Sequence, residues 1–221
     1  MGKVVLITGV SNSIGQCIAK LFLGLGYTVH GFDCKDSPEN EIPESEAFTL
    51  HKYQLCDMQP NMQLLMLPTI EGVNHIVHNI SIWGAEDSLA TTLNSTIAIS
   101  QKYGLQPHIE SIVTLVDQFT ASSKYGQLHA ATQGGLLSHN KWLAHAVAEY
   151  GAVSNAVIFD RARCHIDRYD TKQAKLWSEN VKGTPLEKYP TLDDIAEWVY
   201  FISTSAPPVT GEEFHITGKL K

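Results

Sequence analysis

The feature that most constrains this chain lies at its start, in Val4-Val5-Leu6-Ile7-Thr8-Gly9-Val10-Ser11-Asn12-Ser13-Ile14-Gly15. A short, β-branched apolar run bounded by turn residues is the pattern of a strand buried on both faces, as in the middle of a parallel sheet. Gly9 offers a backbone angle that other residues resist. Gly15 removes a side chain where helix, strand or phosphate must come close. Apolar residues then recur at helical spacing, at Ile14, Ile18, Leu21, Phe22 and Leu25, so the turn opens directly into an amphipathic helix. The free N–H groups at such a helix start, with the helix dipole, can hold a pyrophosphate. A second strand, Tyr27 to Phe32, then ends in Asp33. An acidic side chain at that point accepts hydrogen bonds from an adenosine ribose and repels a 2′-phosphate.

The rest of the chain alternates in the same way. Strands are expected at Ala47 to Leu55, Val73 to Ile80, Ser111 to Val116 and Ser154 to Phe159. Helices are expected at Gln59 to Ile70, weakened by Pro60 and Pro68, then at Glu86 to Tyr103 and Leu128 to Glu149, and after Thr191, where Thr191 and Asp194 make a capping-box start. This order predicts one doubly wound α/β domain over residues 1–221, built on a central parallel sheet of about seven strands. His75 and His78 stand three apart on a strand, so they face opposite sides and make no metal pair. Trp142 with Leu136, Leu143 and Val147 suits a core or a dimer seam; His139 and His145 suit solvent or an interface.

Bulk properties narrow the partners. With 221 residues, 43% hydrophobic and 18% charged, the chain has the composition of an ordinary globular protein with a sizeable core. A net charge of −7 argues against nucleic acid or an anionic membrane surface. No apolar stretch approaches the roughly 18 residues of a membrane span. A strand begins directly after Gly2 and Lys3, which leaves no room for a signal peptide. Cys17, Cys34, Cys56 and Cys164 are scattered, the pattern of reduced thiols in a cytoplasm.

The segment Thr8-Gly9-x-x-x-Ser13-Ile14-Gly15 resembles the T-G-x-x-x-G-I-G fingerprint of the short-chain dehydrogenase/reductase family, with Ser13 in place of the middle glycine. The resemblance continues along nearly the whole chain. Asp57 matches an Asp that the family sets against the adenine amino group; capping of the next helix is an equal alternative. Asn79 in His78-Asn79-Ile80-Ser81 matches one position of N-N-A-G, and Asn94 falls on the helix Asn of the family's tetrad, after a loop about nine residues short. The last helix, Thr191 to Ile202, and the final turn and strand, Thr210 to Gly218, also match. The resemblance implies a Rossmann fold, nicotinamide-dinucleotide binding at Gly9, Ser11, Ser13, Ile14, Gly15, Asp33, Asp57 and Asn79, and a homodimer or homotetramer. The acid at Asp33, and a following loop holding Lys35 but no Arg, favour NAD over NADP.

The middle of the chain departs from that pattern. The family's Ser, Tyr and Lys positions hold Asp117, His129 and Gln133. Ile80 and Ser81 replace a small Ala-Gly pair, and Phe159-Asp160 replaces a Pro-Gly. A tyrosine needs a nearby cation to give up its proton at neutral pH, and Gln133 supplies none. Three readings stay open: a nucleotide-binding protein without the family's redox chemistry, acting as a sensor, scaffold or partner of an active relative; an oxidoreductase with His129, oriented by Asp117, as acid–base; or a non-redox isomerase or dehydratase. In the second and third, Asp117 is expected to favour the charged form of His129. Tyr125 approaches the site only if its helix starts a turn early, which Gly126 opposes. Arg161 to Tyr189, the covering segment, shows no substrate pattern.

Overall fold

A computed structural model describes residues 2–33, 45–52, 59–80, 88–117, 126–159, 181–182, 184–205 and 208–217, with the side chains of 88–90 and 126 left aside. The strands are β1 (Val4–Thr8), β2 (Thr28–Asp33), β3 (Phe48–Lys52), β4 (Val73–His78), β5 (Ser111–Asp117), β6 (Val153–Phe159) and β7 (Glu213–Ile216). They form one parallel seven-stranded sheet in the order β3-β2-β1-β4-β5-β6-β7. The helices are α1 (Ser13–Gly24), α2 (Pro60–Met66), α3 (Ser88–Ile99), α4 (Gly126–Ala146) and α5 (Leu192–Thr204). The fold class read from the sequence is the one observed. Among the described residues no helix is long and apolar enough to cross a membrane.

Two hydrophobic layers sandwich the sheet, because alternate strand residues point to opposite faces. Val5 and Ile7 of β1 join Ile18 and Phe22 of α1 and Ile195, Val199 and Ile202 of α5. Leu6, between them, joins Ala98 and Ile99 of α3, Leu143 of α4 and Val147 just after it on the other face. Strand order reverses between β1 and β4, so the crevice of this α/β sheet opens at their carboxyl ends. His75 and His78 do face opposite sides. His75 bonds Ser111 Oγ at 2.9 Å beside Tyr27, and His78 bonds Ser100 Oγ at 2.9 Å beneath α3.

Several local details differ from the sequence expectation. Pro60 stands at the first turn of α2, where its missing N–H costs nothing, and the helix stops before Pro68. The helix of α3 does not run on regularly to Tyr103; it widens into a π-turn over Ser100–Gly104. There Gly104 lies against Ile112, and an added Cβ would come within 2.8 Å of its Cδ1. Gly126 does not break α4 but begins it. Gly135, not Gly134, is the close approach between α3 and α4: an added Cβ at Gly135 would meet Leu93 Cδ1 at 2.9 Å, while Gly134 faces open space. Leu136, Leu143 and Val147 are core residues, whereas Trp142 is 52% exposed and stacks with His139. The capping box at α5 forms as read, with Thr191 N–H donating to Asp194 Oδ2 at 2.7 Å and Asp194 N–H to Thr191 Oγ1 at 3.1 Å. The Thr191 N–H and hydroxyl, both donating to the carboxylate, hold Asp194 below the usual carboxylate range.

Candidate functional site

The turn between β1 and α1 is braced from two neighbouring strands. Gly9 takes a left-handed φ of 62°, a conformation that favours glycine. A Cβ there would collide with the carbonyl oxygen of Asn79, and a Cβ at Gly15 with that of Gly9. Asn79 stands just beyond β4 and fastens the turn. Its N–H donates to Thr8 Oγ1 at 2.9 Å, and its Nδ2 to Gly9 O at 3.1 Å and Asn12 Oδ1 at 3.0 Å. Asn12 caps α1, its Oδ1 accepting from Gly15 N–H at 2.8 Å. From β2, Asp33 Oδ2 accepts the Ser11 N–H at 2.6 Å. The N–H groups of Ser13 and Ile14, the first two of α1, have no intrahelical acceptor by position. Ser11 Oγ is buried with no hydrogen-bond partner among the described residues. Gly9, Ser11, Ser13, Ile14, Gly15, Asp33 and Asn79 therefore converge at one edge.

At the carboxyl end of β5 lies a second cluster. Asp117 closes the strand, and Gln133 on α4 accepts its main-chain N–H through Oε1 at 2.9 Å. His129, one turn earlier on α4, brings Nε2 to 3.9 Å from Asp117 Oδ2, with both side chains 10% exposed. Asp117 does pull His129 towards imidazolium, but that pull is outweighed. Burial pushes His129 below the usual histidine range, and a hydrogen bond with the Asp117 main chain raises it only in part. The imidazole is thus neutral at physiological pH. Asn94 is half-buried on α3, next to the Leu93 that packs on Gly135 of α4.

Ile80 and Phe159 do not stand free in the crevice. Ile80 is 6% exposed in the layer with Leu6 and Ile99, and Phe159 is 7% exposed in the opposite layer with Ile195. Asp57, Ser81, Tyr125, Asp160, the loop 34–44 and most of the covering segment, through residue 180, lie outside the described residues. Two participants escaped sequence reading. Asn12 precedes a helix start, the position where asparagine caps, and that signal was available. His78 gave none: it is fully buried beside the Asn79 brace, and burial pushes its imidazole down to about 3.

Comparison with known proteins agrees with the fold. No family model matches the chain. It is similar to the 3-oxoacyl-(acyl-carrier-protein) reductase FabG of Aquifex aeolicus, 26% identical over 252 residues, with 99% of this chain and 97% of that protein covered. Among solved structures, a short chain dehydrogenase family protein from Francisella tularensis superposes with a TM-score of 0.77 at 20% identity, covering 99% of this chain and 98% of that one. A tyrosine-to-phenylalanine variant of ElxO with NADPH bound gives 0.75 at 21% identity, covering 99% and 98%. In sequence and in fold, each over almost the full length, this chain is thus similar to 3-oxoacyl reductases and to short-chain dehydrogenase family proteins.

Proposed function

We propose that this chain binds a nicotinamide dinucleotide, NAD(H) in preference to NADP(H), and works without the family's tyrosine–lysine pair. The observation that carries the reading is the braced turn at the head of α1. Its residues fit a diphosphate: the Ser13 and Ile14 N–H groups point out of the helix start, and the buried Ser11 Oγ awaits a partner. Gly9, Ser11, Ser13, Ile14 and Gly15 would hold the diphosphate, Asp33 and Asp57 the adenosine end, and Asn79 would brace the turn beneath it. Asp33 accepts the Ser11 N–H at the end of β2, and its carboxylate would set a negative charge where a 2′-phosphate would lie. When bound, the nicotinamide carries a hydride. The relatives named above include a 3-oxoacyl reductase and an NADPH complex, which supports the cofactor class and not the choice between its two forms.

The absence of a lysine-type relay is supported by Gln133, whose side-chain oxygen is committed to the strand end. It carries no charge with which to lower a neighbour's pKa. A second reading is favoured by the 3.9 Å approach of His129 to Asp117. A neutral imidazole can take a proton from an alcohol or a carbon acid, and the carboxylate beside it stabilises the imidazolium that forms. This is acid–base chemistry on a small carbonyl or alcohol substrate, redox or not. The exposed Trp142, stacked on His139 along α4, supports a pairing of two copies.

Calorimetric titration with NAD, NADH, NADP and NADPH tests the first reading. Micromolar affinity for NADH with weaker NADPH is the expected result; failure of all four to bind at millimolar concentration overturns it. Reduction of a carbonyl panel that includes a 3-oxoacyl thioester, followed by loss of NADH absorbance, then separates the two readings. No turnover supports the silent site. Turnover that falls at least a hundredfold in His129→Gln, with NADH affinity unchanged, supports the histidine.

A further inference from the structure

We propose that a cleft at the opposite edge of the sheet is a second ligand site, shaped for an amphipathic organic anion. The cleft has a volume of about 930 Å3 and opens at the amino ends of β1 and β4, away from the glycine turn. Its size is that of a small-molecule pocket. One wall is apolar, made by Ile70, the 2% exposed Val73 and the 3% exposed Tyr103. Tyr103 is held rigid because its hydroxyl donates to Pro68 O at 2.6 Å. The frame beside it is also tied. Asn74 Oδ1 accepts from Val4 N–H at 2.9 Å, and Asn74 Nδ2 donates to His108 O at 3.2 Å. With both sides of the mouth pinned by hydrogen bonds between separate segments, the cleft is preformed and not a gap that neighbouring side chains close.

The charged lining selects the ligand. Lys3 is neutralised by Glu110 beside the mouth, which leaves Lys102 and Glu71 as the unmatched charges of the lining, with Lys102 the cation a ligand meets. Lys102 sits on the π-turn that follows α3, and its ammonium donates to Leu67 O at 2.7 Å and Leu64 O at 3.4 Å. Those bonds fix Nζ at the end of α2 and leave one of its three hydrogens for a ligand. Lys3 is engaged with Glu110 at 2.6 Å, which leaves Lys102 the principal anchor. A carboxylate, sulfonate or phosphate head on Lys102, with a flat ring or short chain laid along Ile70, Val73 and Tyr103, satisfies both halves of the cleft.

Fluorescence titration of the full chain with anilinonaphthalene sulfonate, with and without saturating NADH, tests the site. The expected result is saturable binding that NADH does not displace, weakened about tenfold by Lys102→Met, the loss of one charge-assisted hydrogen bond. Ile70→Trp, which fills the cleft from its other wall, removes that binding. It decides the matter even where Lys102→Met loosens the end of α2. Displacement by NADH, or binding unchanged by Ile70→Trp, overturns the assignment.

Discussion

The glycine turn and the Asp117–His129 corner stand on the same edge of the sheet but are held in different ways. At the turn, segments from β1, β2 and β4 meet, and Asn79, Asn12 and Asp33 tie them together. Each side chain there satisfies main-chain groups that would otherwise be left without a partner in a confined space. At the corner, among the described residues, a strand end meets one helix. Among the described residues the links are a hydrogen bond from Asp117 N–H to Gln133, one between His129 and the Asp117 main chain, and the 3.9 Å approach of the two side chains. The turn is therefore part of the frame, and a change in it is felt by the fold. The corner is attached to the frame, and its side chains can be exchanged while the sheet stands.

The hardest way to break that contrast is Gly9→Ala. It imposes a side chain on a left-handed φ and drives it into the Asn79 carbonyl. We expect a loss of about 3 kcal/mol in urea unfolding together with loss of nucleotide binding; an unchanged midpoint contradicts the framework role. Acid attacks the same end next. His78 is neutral and buried, with its pKa lowered from 6.5 to about 3, so the unfolded chain binds its proton first. The stability it contributes is complete above pH 6.5 and is lost as pH falls from there toward 3. By pH 5 the loss is about 2 kcal/mol. His78→Asn should make that part of the stability–pH curve shallower, with the buried His75 and His139 still contributing, and an unaltered slope removes His78 from the account. The smallest effect belongs to the corner. Gln133→Leu leaves the buried Asp117 N–H without its acceptor and should cost about 1 kcal/mol in the same unfolding experiment, with dinucleotide affinity unchanged. A collapse of binding in that variant erases the distinction between the two regions.

The parts legible in the sequence are those written locally. Strand runs, helical periodicity, the Gly9–Gly15 spacing and the Thr191–Asp194 cap each depend on residues within one turn or one strand, and each is found. What was not legible depends on distance. Nothing local in Asn79 says that its amide reaches Gly9 and Asn12, and nothing in Ser100-Gln101-Lys102-Tyr103-Gly104 announces a widened helix turn. Trp142 lies beside Leu143 in sequence and has the same apolar character, but α4 turns one to solvent and the other to the core. For His129, an adjacent carboxylate was legible and burial was not. Burial decides the protonation state.

The Asn79 brace also bears on the order in which the molecule is assembled. The fingerprint from Thr8 to Gly15 is contiguous, yet its shape is completed by a residue 70 positions past Gly9. Closing a loop of that length is entropically costly and slow compared with forming α1. During synthesis the whole motif emerges long before β4 is available to dock, so a nascent chain carries the fingerprint without the site. The proposed competence to hold a phosphate would thus belong to the β2-β1-β4 assembly rather than to the strand–turn–helix unit, and it should appear in refolding with the closure of the sheet.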